Sequence, residues 1–209
     1  MSTTPTRRIG TGALVGGIVA VVVVVAAIVV IAVAASGDGT DLDQTQPVTV
    51  VGSPLPEMVD VPADPAIGAS APRINGAGFD GTPINVRPGT PTLLVFVAHW
   101  CPHCQAEVPV LVQWAADGGV PDGVDVIGVA SGTDRRRPNY PPSEWLEAAG
   151  FPFPVLADTE AGTAASAFGL MSFPYFVLLD GDGTVAARLN GEVDPATLTA
   201  LVDSVDPAA

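Results

Sequence analysis

The chain has 209 residues, 48% of them hydrophobic, and carries 22 acidic residues against eight arginines and no lysine. A formal net charge of −14 excludes a nucleic-acid binder held by phosphate contacts, and a protein that lies flat on anionic lipid. The two cysteines and two histidines all fall between His99 and Cys104, so no second ligand pair exists elsewhere for a structural zinc site.

Residues 1–8 include Arg7 and Arg8 and are expected to be a short cytoplasmic N-terminus. Residues 9–35 contain no charge and run through "VGGIVAVVVVVAAIVVIAVAA". About 20 apolar residues cross a bilayer core. The signal-peptide alternative, with Ala32–Ala34 as its cleavage site, normally has an apolar stretch of only about 7–15 residues. A retained transmembrane anchor at 9–35 is therefore expected. Both membrane-proximal positive charges precede it, which places the N-terminus in the cytoplasm and the remainder outside.

Residues 36–67 are rich in Asp, Pro, Gly and Thr, with one β-like patch at Val48–Val51, and read as an extracytoplasmic tether. Residues 68–206 read as one domain. "RING" and "PINV" suggest a hairpin, and "TLLVFVA" (Thr92–Ala98) is the continuous apolar run of a strand buried on both faces. A helix interrupted by Pro109 is predicted from Cys101 to Ala116, with Val108, Leu111, Val112 and Ala115 on one face. "VDVIGVA" (Val124–Ala130) predicts a second buried strand, followed by helices at Ser143–Ala149 and Thr159–Phe168. "YFVLLD" and "TVAARL" form a hairpin through "DGDG" (Asp180–Gly183), which lacks the ligand series of a calcium loop and reads as a tight turn. Asp194 caps a last helix that has Pro195 at its first position. The order implies an α/β domain, a central mixed sheet with helices on both faces.

The chemistry lies in "HWCPHC" (His99–Cys104). Two cysteines separated by two residues at the start of a helix have their sulfurs about one turn apart, within reach of a disulfide. Cys101 sits where unpaired helix N–H groups and the helix dipole stabilise a thiolate, the attacking species, and Cys104 becomes the resolving thiol. Pro102 removes a donor that the first turn does not need. His103 can place positive charge or a hydrogen bond near Cys101, which favours the reduced pair and makes it a stronger oxidant. A static staple is a poor alternative, because so short a loop removes little chain entropy. Metal ligation by His99, Cys101, His103 and Cys104 alone lacks supporting ligands, and Gln105 after Cys104 excludes haem attachment. Neither metal nor cofactor is expected. His99 reads as a core histidine, and Arg135–Arg137 as a solvated loop, with recognition of an acidic partner as its alternative.

The strand, "WCPHCQAEVP" (Trp100–Pro109), "GASAP" (Gly68–Pro72) and "FGLMSFPYFVLLDGDGTV" (Phe168–Val185) together resemble thioredoxin, and more narrowly the membrane-anchored TlpA/ResA-like thiol–disulfide oxidoreductases. The resemblance implies a thioredoxin-like fold, a cis Phe173–Pro174 bond facing the cysteines, and a backbone at Phe173 that pairs with substrate. It implies further that Glu107 moves a proton to or from Cys104, since Val95 stands where thioredoxin has a buried aspartate, and that Trp100 shields the pair. A peroxiredoxin would need Thr or Ser three residues before its reactive cysteine, where Ala98 and Cys101 stand here. The expected function is disulfide exchange with exported proteins through Cys101–Cys104, assisted by a membrane redox partner. Pro102–His103 leans it towards oxidation. A dedicated reductase is the first alternative, and a non-catalytic redox or metal-binding module the second.

Overall fold

A computed structural model describes residues 42–59 and 64–205. The expected cytoplasmic N-terminus (1–8) and transmembrane anchor (9–35) lie outside these residues; among the described residues no helix is long and apolar enough to cross a membrane.

Five strands form the central sheet: β4 (Thr92–Val97), β5 (Asp125–Ala130), β6 (Val155–Ala157), β7 (Tyr175–Leu179) and β8 (Val185–Asn190), in the order β6-β5-β4-β7-β8. The first three run parallel, whereas β7 and β8 are antiparallel to their neighbours, so the sheet is mixed. The central strand β4 is buried along its whole length, which is why its sequence shows no alternation. Its side chains nevertheless divide by the period of two: Leu93, Val95 and Val97 enter one core, Leu94 and Phe96 the other. Helices α1 (Pro102–Ala116), α2 (Pro142–Ala148) and α4 (Pro195–Asp203) cover the first face through Val108, Leu111, Leu146, Leu198 and Val202. The second is covered by α3 (Thr163–Ala167) and a small sheet of β1 (Thr49–Val51), β2 (Arg73–Ala77) and β3 (Pro83–Val86). Asp194 caps α4 by accepting from the Ala196 and Thr197 N–H groups. In the β7–β8 turn, Asp180 Oδ1 accepts from Asp182 and Thr184, as a tight hairpin requires.

Several boundaries differ from the sequence reading. Helix α1 continues through Pro109, whose missing N–H forfeits one bond to the Gln105 carbonyl. Its buried face is Cys104, Glu107, Val108, Leu111 and Trp114, where Val112 and Ala115 were expected. The expected tether is laid onto the domain wherever it is described. Val50 pairs with Ile74, the Leu55 and Met58 N–H groups donate to Ala167 and Gly169 at 2.9 Å, and Ala66 is fully buried. The physical reason is Arg188, a guanidinium buried on β8 that needs acceptors. It takes them from the Asp64 carboxylate and the Pro56 carbonyl.

Candidate active site

Strand β4 ends where α1 begins, and the cysteines occupy that junction. Cys101 is the N-cap of α1, in extended backbone at φ −78° and ψ 121°, with its N–H held by the Ala98 carbonyl at 3.0 Å. Pro102 takes the first helical position, where an N–H has no partner to lose. One turn further on, Cys104 is fully buried, and its Sγ accepts the Ala98 N–H at 3.4 Å. Burial pushes the Cys104 thiol far above the ordinary cysteine range. Cys101 retains 6% exposure and is therefore the sulfur that a partner reaches first. Its thiol donates to the Phe173 carbonyl at 3.6 Å, and the Phe173–Pro174 bond that follows is cis.

Glu107 lies one turn beyond Cys104 on the buried face of α1, with 1% exposure. Its Oε2 accepts the Val193 N–H at 2.9 Å, and its Oε1 has no partner. Burial raises this carboxyl to about 7, with the Val193 N–H pulling down and the Glu192 and Asp194 carboxylates adding to the rise. A buried acid that titrates near neutrality, with one free oxygen, can take or give a proton at the thiol one turn away.

His103 is exposed, and the hydrogen bond its ring makes is to Glu192, Nδ1 to Oε1 at 2.8 Å, rather than to Cys101. Glu192 and Val193 thus lie on one short loop that meets His103 through a side chain and Glu107 through a backbone N–H. Nothing local in the sequence marks Glu192, because its partner is 89 residues distant.

Trp100 is half-buried beside the cysteines. Its Nε1 donates to the Gly132 carbonyl at 2.7 Å, its ring meets Phe173 edge-on at 6.0 Å, and the Arg137 guanidinium lies 4.0 Å above it. His99 points away into the 134–140 loop: Nδ1 donates to the Pro138 carbonyl at 2.6 Å while Nε2 accepts the Asp134 N–H. Burial lowers its pKa, and its role is to hold that loop. The largely apolar hollow of about 740 Å³ between Phe79, Ile84, Val124 and Phe153 opens at the start of β5, the opposite end of the parallel strands from Cys101, and takes no part in thiol chemistry.

A profile of the AhpC/TSA family matches residues 67–188, more than half the chain. Methylamine utilization protein MauD of Methylobacillus flagellatus is 30% identical over 140 residues, 65% of this chain and 62% of the relative. Thiol:disulfide interchange protein DsbE of Escherichia coli is 31% identical over 107 residues, 51% of this chain and 53% of the relative. The chain thus spans only part of the curated relatives it matches. Among solved structures, MTB dsbF in its mixed oxidized and reduced forms is 30% identical, covering 67% of this chain and 96% of that one at a TM-score of 0.51.

Proposed function

The chain belongs to the AhpC/TSA family, with the thioredoxin-like fold and relatives of the thiol:disulfide interchange kind, and on that premise we propose that it is a thiol–disulfide oxidoreductase acting on exported proteins. The observation that carries this reading is the pair itself. A Cys101 that keeps 6% exposure at a helix N-cap is followed one turn on by a fully buried Cys104, with a carboxyl that titrates near 7 one turn further on.

In the reducing direction the Cys101 thiolate attacks a client disulfide, forming a mixed disulfide and expelling one client thiol. Cys104, after giving its proton to Glu107, attacks Cys101 Sγ, closes Cys101–Cys104 and releases the second client thiol. The protein is oxidised by two electrons and the client reduced by two; oxidation of a client dithiol is the same sequence reversed. Phe173, whose carbonyl already receives the Cys101 thiol, offers backbone to an extended client, and Pro174 and Trp100 wall the pair. The apolar run at 9–35 supports a single-pass anchor with a cytoplasmic N-terminus and an extracytoplasmic domain, where a membrane redox partner resets the pair.

Direction turns on His103. Free beside Cys101, its charge favours the reduced pair and an oxidase, the sense in which Pro-His leans. Pairing with Glu192 balances that charge and favours a second reading, a dedicated reductase. The test of exchange is Cys104→Ser, which leaves Cys101 able to attack and unable to be resolved: mixed disulfides with exported proteins accumulate on non-reducing gels. Absence of such adducts in cells refutes the client reading.

A further inference from the structure

The only run of basic residues among the described residues, Arg135–Arg137, meets the active site through Arg137, and its three members are in three different situations. Arg136 is spent on Asp134, with Nε to Oδ1 at 3.1 Å. Arg137 lies over Trp100, the residue that precedes the nucleophile, with its guanidinium carbon 4.0 Å from the ring centroid. Arg135 forms no ion pair among the described residues and lines a polar hollow of about 840 Å³ that also holds Asp43, Asp134 and Glu160. Of the other arginines in the described residues, Arg188 is buried on Asp64, while Arg73 and Arg87 belong to the small sheet and its end. Of the nearby acids, Asp134 is engaged by Arg136 and Glu192 by His103, while Asp43 and Glu160 share the hollow with Arg135, which leaves Arg137 as the cation nearest the pair. Phe173, edge-on to Trp100, continues the same rim on its apolar side.

A guanidinium stacked on an aromatic ring is held in place and still presents N–H donors at its edge, which suits it to a carboxylate. The position is fixed from below as well, because the Trp100 Nε1–H is anchored on Gly132 and the loop by His99. On an otherwise negative domain, the Arg137 guanidinium over Trp100 is a local attractor at the mouth of the redox site that acts on encounter rates.

We propose that Arg137, on the loop that also carries Arg135, forms a docking rim that selects client segments carrying an Asp or Glu close to the reacting cysteine. The inference rests on the exchange reading above, and it adds the chemistry by which one disulfide is preferred to another.

The test uses the purified full-length protein in reduced form and three synthetic peptides, each closed by one internal disulfide and differing only in the residues flanking it: glutamates, glutamines or lysines. Second-order rates of peptide reduction are followed by release of peptide thiol. The acidic peptide is expected to react about threefold or more faster than the neutral one at low salt, with the lysine peptide slowest. Raising the salt to about 0.5 M, where the screening length falls to a few ångströms, should bring the three together. In Arg135→Gln/Arg137→Gln the acidic-to-neutral ratio should fall towards one, and Arg137→Lys, which keeps charge without the planar fork, should restore it only in part. A native protein that reduces all three peptides at equal rates, or prefers lysine, overturns the docking rim alone. One that reduces none of them while Cys101 still alkylates overturns the exchange reading beneath it.

Discussion

Replacing Glu107 by Gln should stabilise the folded protein at alkaline pH while slowing its chemistry. The carboxyl is buried, with one oxygen on the Val193 N–H and the other unpartnered, and its pKa rises from 4.5 to about 7 on folding. The native state therefore keeps a proton that the unfolded chain releases, and stability falls as pH rises through the window from 4.5 to about 7. That interval corresponds to about 3 kcal/mol in the native state above neutrality. Glutamine imitates the neutral acid: its amide oxygen keeps the Val193 N–H bond, and its NH₂ replaces an equally unpartnered acid proton. In urea unfolding of the dithiol form, Glu107→Gln should match the parent within about 0.5 kcal/mol near pH 4 and exceed it by about 2–3 kcal/mol near pH 8. The same variant should exchange disulfides about tenfold or more slowly near neutral pH, because the group that receives the Cys104 proton is gone. Equal stability differences at the two pH values would refute the buried, titrating carboxyl. Unchanged exchange rates across pH would remove it from the mechanism.

Cys101→Ser should abolish exchange with any disulfide peptide, whereas Cys104→Ser should hold the peptide as a covalent adduct visible by mass spectrometry. Glu192→Gln frees His103 and should move the reduction potential by about 20 mV in the oxidising direction, an effect cancelled in a His103→Ala background. Because the Glu192 carboxylate also raises Glu107, the same change should shift the pH profile of exchange to lower pH. Arg188→Met strands Asp64 and the Pro56 carbonyl, and should cost about 3 kcal/mol in urea unfolding; adding Asp64→Leu should recover most of that loss, which a double-mutant cycle would read out.

Features whose cause is local were legible in the chain. The apolar run of β4, the cysteine spacing, the cap at Asp194 and the turn at Asp180 each follow from a few adjacent residues, and the structure has them where the sequence puts them. Features that depend on a distant partner were not. Strand β6 is only Val155–Ala157, too short for a period to show, and exists because Gly128 to Ala130 of β5 offer it a ladder. Arg188 looks like an outward residue of "TVAARL", yet it is buried and draws Pro56 and Asp64 onto the domain. The composition of residues 36–67 is that of a linker, and only this acceptor-seeking guanidinium and the pairing of Val50 with Ile74 make the described part an integral layer. His103 illustrates the same limit within the site: its neighbours in sequence are the cysteines, while the hydrogen bond its ring makes is to Glu192.

The central claim is that Cys101 and Cys104 are a reversible two-electron couple. It is tested most directly by equilibrating the purified protein in glutathione buffers of graded ratio and following tryptophan fluorescence, since Trp100 lies beside the pair. The account predicts a single two-electron transition with a potential between about −270 and −120 mV, absent in Cys101→Ser. A pair that never closes in these buffers, or a disulfide that stays closed below about −300 mV as structural ones do, would contradict it.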